Sequence, residues 1–336
     1  MVQDLVIVGG GPAGLAAAIA ASRVGLDYVV IERGSLVNTV QGYPTNMVFF
    51  TTPELLEIGG IPFTTPYEKP TRVEALRYYR KVTELFELRV NLREEVVRIS
   101  ENPREVPARF EIETRSVLGE RRILRAHHVV IATGAFDRPN RLDVPGEDLP
   151  HVSHYYRESH QYFRQRVVIV GGKNSAAEAA LELYRNGSHV TLVHRGAALG
   201  DSIKYWVRPD IENRIREGSV TAHFNTRVIE IRPTTVIVEE GKTRNELHAD
   251  SVLLLTGYHA DVSLFEHAGV DYDRTTYAPR FDPATHETNV PGLFVIGSAV
   301  TGRQSGQIFI ENGRFHGELV VDVIRQRTAE LTRSRE

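Results

Sequence analysis

The chain has 336 residues, of which 41% are hydrophobic and 25% charged, and its formal net charge is −3. That length exceeds one ordinary core and predicts two domains, while the composition excludes a disordered chain. The small net charge gives no pull toward nucleic acid, and no apolar run approaches the roughly 20 residues needed to span a bilayer.

Cysteine is absent. This excludes a disulfide framework, a cysteine-ligated metal and a catalytic thiol. Of the 40 basic residues only Lys69, Lys81, Lys173, Lys204 and Lys242 are lysines. Met1–Leu26 is apolar enough for a signal peptide, but Asp4 stands where a basic segment belongs and the glycines fit a nucleotide-binding pattern. The expected location is therefore the cytoplasm.

Residues 4–9 form an apolar run that reads as a buried parallel strand. It leads into Gly9-x-Gly11-x-x-Gly14, and a helix is predicted from Leu15 to Val24. A second strand, Tyr28–Ile31, ends at Glu32, 23 residues after Gly9. Gly9 permits a tight turn, Gly11 lets a pyrophosphate approach the backbone, and Gly14 lets helix and strand pack closely. The helix N-terminus offers N–H groups to phosphate, and Glu32 can accept from both ribose hydroxyls. Strand, glycines, helix and acid together specify a dinucleotide site.

The pattern recurs. Arg166–Gly171 reads as a strand, followed by Gly172, Lys173, Asn174, Ser175 and Ala176 and a predicted helix Ala177–Asn186. The next strand, His189–Val193, ends at His194-Arg195, again 23 residues after Gly171. A basic pair replaces the acid, so Arg195 can pair with a 2′-phosphate, and Lys204 and Arg208 follow nearby. The second site thus reads as one for NADPH. Lys173 replaces the middle glycine; its ammonium either aims at the phosphates or faces solvent.

Each half continues into alternating strands, Val96–Val130 and Val228–Leu255, and closes on strand-Thr-Gly, at Thr133-Gly134 and Thr256-Gly257. The tail belongs with the first half. Asn289–Gly297 reads as a strand, Ser298–Gln307 as a polar turn and Phe309–Arg325 as one long helix. That helix stands where a flavin site receives its closing element, with its positive end aimed at the ring.

Other features carry less. His151, His154 and His160 cluster without further ligands and read as hinge or surface histidines, so no metal site is expected. The aromatics Phe49, Phe50, Tyr155, Tyr156, Tyr205 and Trp206 can stack on a cofactor or pack in the core. No serine–histidine–acid arrangement is legible.

Over almost its full length the chain resembles the low-molecular-weight thioredoxin-reductase-like flavoproteins, and more narrowly the bacillithiol disulfide reductase (YpdA-like) branch. The resemblance is carried by Tyr43–Thr52, Ile58–Phe63, His151–Tyr156, Gly171–Ser175, Ser202–Val207 with Pro209–Asn213, and Ile308–Gly317. It implies an α/β fold of two Rossmann-like domains of the three-layer β/β/α type. The FAD domain would be split, 1–140 and 259–336, around an inserted NADPH domain, 141–258. It further implies a homodimer, domain rotation, and hydride passing from NADPH to FAD and on to an external acceptor.

The expected FAD contacts are Gly9, Gly11, Pro12, Ala13, Gly14, Glu32, Arg33, Gln41, Thr45, Val97, Thr133, Gly134, Gly297, Ser298, Gln307 and Ile308. Ala13, Thr45, Asn46 and Met47 are expected nearest the flavin ring. The expected NADPH contacts are Gly171, Gly172, Lys173, Asn174, Ser175, Ala176, His194, Arg195, Lys204, Thr256 and Gly257. No acid or base is nominated, because the cofactors carry the chemistry.

The chain departs from the resemblance at three places. Tyr155–Glu158 replaces the thioredoxin reductase Cys-x-x-Cys, Ala13 replaces the cysteine of the YpdA-like branch, and Ser298 replaces the acid that often holds the ribityl chain. Electrons must then leave without a protein thiol. The expected acceptor is a small-molecule disulfide; the alternatives are an electron-carrier protein such as ferredoxin or flavodoxin, or a redox-sensing protein with little turnover. No nucleic acid or membrane partner is expected.

Overall fold

The computed structural model describes residues 2–101, 109–304 and 306–333, with side chains to 328 in the last helix. Two compact units emerge: Met1–Arg138 with Tyr258–Glu336, and Pro139–Gly257.

The first unit begins with β1 (Val2–Val8), α1 (Pro12–Arg23), β2 (Tyr28–Glu32), α2 (Asn38–Gly42) and α3 (Arg72–Leu85). It continues through β3 (Val90–Leu92), β4 (Glu94–Glu101), β5 (Phe110–Ser116), β6 (Arg121–Ile131) and β7 (Arg138–Pro139). The second unit holds β8 (Val152–Ser153), β9 (Arg166–Val170), α4 (Asn174–Arg185), β10 (His189–Val193) and α5 (Arg208–Arg216). Its remaining strands are β11 (Thr221–His223), β12 (Thr226–Ile231), β13 (Thr235–Glu240), β14 (Thr243–His248) and β15 (Ser251–Leu254). The chain returns to the first unit with β16 (Tyr258–His259), α6 (Ser263–Ala268), β17 (Leu293–Val295), α7 (Ile310–Gly313) and α8 (His316–Arg333).

In the first unit the sheet order is β3-β2-β1-β6-β5-β4, with β17 also paired to β6. The pairs among β3, β2, β1, β6 and β17 are parallel, and β4-β5-β6 is antiparallel. Side chains alternate across a strand, so β1 serves two cores. Leu5 and Ile7 pack with Leu15, Ile19, Val320 and Ile324 of α1 and α8. Val6 and Val8 pack with Ile99, Phe110 and Ile112 of the antiparallel strands and Phe265 of α6. Each such fully buried aliphatic contributes about 1.5–3 kcal/mol relative to exposure. The result is the three-layer β/β/α arrangement.

The second unit repeats it. The parallel sheet runs β11-β10-β9-β15-β8, beside an antiparallel β12-β13-β14. Val167, Ile169 and Leu253 face the α4 side, while Val168, Val170 and Val252 face Val228, Val236 and Val238. The α/β expectation and the doubled three-layer architecture are therefore what the chain adopts.

Several boundaries differ from the sequence reading. Helix α1 starts at Pro12 rather than Leu15, because proline at the first helical position has the right φ and no N–H to satisfy. Helix α4 starts at Asn174 rather than Ala177, after an extended Lys173 at its N-cap. Strand β17 covers only Leu293–Val295; its approach is taken up by a turn in which Leu293 donates to the Val290 carbonyl and Thr288 to that of Leu293. The polar turn opens with a 3-10 segment, Gly297–Thr301.

The closing helix is not continuous. It breaks at Arg314-Phe315 into α7 and α8. Arg314 is drawn to the carbonyls of Glu54 and Glu57, at 2.7 and 2.6 Å. Gly313 lies against Gly297, and Gly317 lies so close to Ala17 that a Cβ there would stand 2.5 Å from its nitrogen. The break lets the chain meet both contacts.

Candidate dinucleotide sites

The first glycine turn is closed where packing is needed and open where a ligand is expected. A Cβ on Gly9 would stand 2.5 Å from the Ala132 carbonyl oxygen, and Gly9 has φ +111°. A Cβ on Gly14 would stand 2.0 Å from the Gly9 oxygen, whereas one on Gly11 would meet nothing within 4 Å. The first intrahelical bond of α1 runs from Leu15 to Gly11, at 2.9 Å, so the N–H groups of Ala13 and Gly14 have no carbonyl one turn back. The neighbouring Thr133 hydroxyl is buried without a partner. Open space, two presented N–H groups and an orphaned hydroxyl fit a dinucleotide phosphate.

Glu32 ends β2 beside this turn. Its two carboxylate oxygens accept from Gly10 and Gly34, each at 2.7 Å. Burial pushes its pKa up, and the same two backbone bonds pull it back. Each oxygen keeps a lone pair for a ribose hydroxyl. Gly10, unremarked in the sequence, belongs to the same hydrogen-bond network: its carbonyl also accepts from Val37, at 3.0 Å.

The remaining expected FAD residues are placed in several ways. Ala13, Gly134, Gly297 and Ser298 converge: a Cβ on Gly297 would lie 2.9 Å from that of Ala13, and one on Gly134 would lie 3.6 Å from the Ser298 hydroxyl. Val97 is the unpaired residue of a β-bulge between the pairs Val96–Thr114 and Arg98–Glu113, which takes its backbone out of the ladder. Arg33 is ion-paired with Asp137 at 2.7 Å. The others lie on the surface of unit 1. Gln41 accepts from Ser35, Thr45 and Asn46 are exposed, Met47 is half-buried against the helical core, Gln307 bonds Gln304, and Ile308 packs on the strand core.

The second turn repeats the geometry with different chemistry. A Cβ on Gly171 would stand 2.5 Å from the Leu255 carbonyl oxygen, as Gly9 does to Ala132. Helix α4 starts its bonding from Ala177 to Lys173, leaving Asn174, Ser175 and Ala176 to present N–H groups. These presented donors fit a second nucleotide phosphate. Lys173 is exposed. His194 is turned inward: a Cβ on Gly172 would lie 2.5 Å from its ring. Burial, then the adjacent Arg195, push the imidazole pKa down, so Arg195, which is exposed, carries the charge of the pair.

A loop lies along this turn. Gly200 donates to the Gly172 carbonyl at 2.7 Å. Asn174 donates to Ser202 and accepts from the Lys204 backbone, both at 2.9 Å. Arg208, expected to be near phosphate, instead donates to the Gly200 carbonyl and to Glu212, so it braces the loop. Thr256 and Gly257 are tied to Asn140: the Thr256 hydroxyl donates to its carbonyl at 2.5 Å, and the Asn140 N–H donates to Gly257 at 2.9 Å. Sequence reasoning missed Asn140, Gly200 and Glu178. The last is a carboxyl on α4 pushed up to about 7 by burial and Glu182, against the opposing charge of Lys204.

The histidine cluster is not a surface feature throughout. His154 faces the buried Glu147 at 3.3 Å and His151 is half-buried; His160 is exposed. Among the described residues no group of three ligating side chains could hold a metal. Phe49 and Tyr156 are core residues, Phe50 and Tyr155 are half-buried, and Tyr205 and Trp206 are exposed. Among the described residues no helix is long and apolar enough to cross a membrane.

Comparison with known proteins agrees with this doubled geometry. The family model described as pyridine nucleotide-disulphide oxidoreductase matches residues 6–297. The chain is 42% identical over 329 residues to bacilliredoxin reductase Bdr of Bacillus subtilis, covering 97% of this chain and 99% of the relative. The solved bacillithiol disulfide reductase Bdr (YpdA) from Bacillus cereus superposes with a TM-score of 0.94 at 41% identity, covering 97% and 100% of the two chains. A ferredoxin–NADP reductase of Bacillus licheniformis is 28% identical over 326 residues, covering 93% and 85%. The chain belongs to the pyridine nucleotide-disulphide oxidoreductase family, in the branch whose members are named bacillithiol disulfide reductases, and is an oxidoreductase that uses FAD and a nicotinamide nucleotide.

Proposed function

We propose that unit 1 holds FAD, that unit 2 holds NADPH, and that the chain reduces a small-molecule disulfide of the bacillithiol type with no thiol of its own. The observation that carries this reading is the pair of glycine turns, the first closed by the acid Glu32 and the second by Arg195. A carboxylate at the end of β2 suits ribose hydroxyls and repels a 2′-phosphate; a guanidinium at the end of β10 does the reverse.

Bound FAD supplies the two-electron chemistry; the protein's work is placement and shielding. In unit 1, Ala13 and Gly14 direct N–H groups at the pyrophosphate across the space beside Gly11, and Glu32 and Val97 address the adenosine end. Thr133, Gly134, Gly297 and Ser298 line the approach from the β6 and β17 ends. In unit 2, Asn174, Ser175 and Ala176 address the phosphates, while Arg195 and Lys204 supply positive charge. Ala13 puts an apolar methyl where related enzymes have a sulfur, so the acceptor must take its electrons from the cofactor itself.

That last feature also supports a second reading, transfer to a carrier such as ferredoxin, which needs no thiol. We further propose a cytoplasmic homodimer, on the resemblance to the branch. The test is a steady-state survey of the purified protein with NADPH or NADH as donor and bacillithiol disulfide or ferredoxin as acceptor. NADPH preference with disulfide turnover is the expected result. Colourless protein that refuses FAD, or turnover with ferredoxin alone, overturns the first reading.

A further inference from the structure

The proposed function leaves unused a pair of ionisable rings, one buried and one half-buried. His286 and His316 lie in unit 1 with ring centroids 4.2 Å apart and planes tilted by 35°. Their partners fix which nitrogen carries each proton. His286 Nδ1 meets the Val295 carbonyl at 3.0 Å; a carbonyl only accepts, so this nitrogen is protonated. His316 Nδ1 meets the backbone N–H of Gly297 at 3.2 Å; an N–H only donates, so here the nitrogen is bare and the proton sits on Nε2. A protonated Nδ1 on His316 would set two donors face to face.

Gly297 is a demanding place for an anchor. The parallel ladder of β17 with β6 ends one residue earlier, where Ile296 donates to Ile131 at 2.9 Å. Gly297 then turns to φ +63° and leaves the ladder. There it is pressed between Ala13 and Gly313, whose added Cβ would lie 3.3 Å from its Cα. Ser298 follows at once, beside Gly134. The imidazole of His316 therefore supplies the acceptor that the sheet no longer provides, at the point where the turn enters the FAD-facing group.

We propose that His316 is a positioning residue for the flavin site: its bare Nδ1 holds the Gly297 N–H and so fixes the Gly297-Ser298 turn against Ala13 and Gly134. His286 acts behind it as a neutral neighbour that keeps the ring in place. The proposal rests on unit 1 being the FAD domain.

Two substitutions separate acceptor from bulk. His316→Phe keeps a ring and removes the acceptor; His316→Asn gives up volume and offers an amide oxygen near the same place. Apoprotein is titrated with FAD and followed by flavin fluorescence and visible absorption. The expected result is about tenfold weaker FAD binding and shifted absorption bands in the Phe variant, with the Asn variant within about threefold of the unsubstituted protein. Equal affinity and spectra in the Phe variant overturn the proposal, as does an Asn variant as impaired as Phe. Should the Phe variant not fold, imidazole 15N NMR of the unsubstituted holoprotein decides: an unprotonated Nδ1 on His316 at neutral pH supports the proposal, and a protonated one overturns it. Unsubstituted apoprotein that takes up no FAD would instead overturn the reading of unit 1, and this proposal with it.

Discussion

The imidazole of His194 covers Gly172 as the carboxylate of Glu32 covers Gly10: a Cβ on Gly172 would lie 2.5 Å from the ring, and one on Gly10 would lie 3.1 Å from Glu32 Cβ. The two units place the residue that closes the second strand against the same point of the glycine turn. In unit 2 that residue is held neutral by burial and by Arg195, so it shapes the turn without adding charge. On the proposed reading, discrimination for a 2′-phosphate then falls to Arg195. Replacing it by alanine is expected to raise KM for NADPH about 10- to 100-fold, the loss of one charge-assisted contact of about 1.5–3 kcal/mol, with kcat little changed. KM for NADH should stay put. An Arg195→Ala enzyme that still prefers NADPH places the phosphate elsewhere.

The glycines of the first turn make separable predictions. Gly14→Ala would drive a methyl to 2.0 Å from the Gly9 oxygen, so the strand–helix contact must open. A loss of several kcal/mol or an insoluble product is expected, since overpacking here meets backbone rather than a yielding side chain. Gly11→Ala adds a methyl to empty space at φ −78°, an ordinary angle for alanine. That variant should fold with a Tm within a few degrees of the parent and yet purify without flavin. If Gly11→Ala retains stoichiometric FAD, the space beside it is not where the pyrophosphate lies.

Legibility followed the range of the interactions. Both glycine turns could be read because strand, turn and helix are contiguous and each glycine answers a local backbone demand. The doubled β/β/α layering came from the resemblance, since β1 and β9 are apolar throughout; only in the structure do their successive valines, leucines and isoleucines divide between opposite cores. What escaped the sequence depends on distant contacts. The break between α7 and α8 is set by Glu54, Glu57, Gly297 and Ala17, none of them near it in sequence. The inward turn of His194 depends on Gly172, and the partnership of His316 with Gly297 spans 19 positions. Arg208 looked like a phosphate ligand because charge is visible in a sequence and its Gly200 partner is not.

Glu178 predicts an unusual pH dependence. Burial, with Glu182 adding and Lys204 opposing, pushes its pKa up to about 7. The folded state thus keeps a proton that the unfolded chain gives up near about pH 4.3. Its contribution is present below that pH and is lost as pH rises through about 7, on the order of 3–4 kcal/mol across the window. Glu178→Gln cannot lose a proton, so the variant should match the parent near pH 4 and exceed it in Tm near pH 8. Parallel melting curves at the two pH values test this. A variant that tracks the parent at both would mean the carboxyl titrates normally.

On the proposed reading, Ala13 decides how electrons leave. Cysteine is absent from the chain, so thiol reagents have no target, and turnover of the unsubstituted enzyme should survive iodoacetamide or N-ethylmaleimide unchanged. Ala13→Cys would place a thiol at the first turn of α1, where N–H groups and the helix dipole favour the thiolate. The neighbouring Gly297 leaves little room there, since even a Cβ on it would stand 2.9 Å from that of Ala13. An alkylated sulfur must therefore displace the Gly297-Ser298 turn or stand in the cofactor's path. The variant should keep its FAD, turn over a disulfide acceptor, and lose that turnover on alkylation while the parent does not. Loss of activity in the alkylated parent would show that a thiol from outside the chain takes part, and direct departure of electrons would no longer stand.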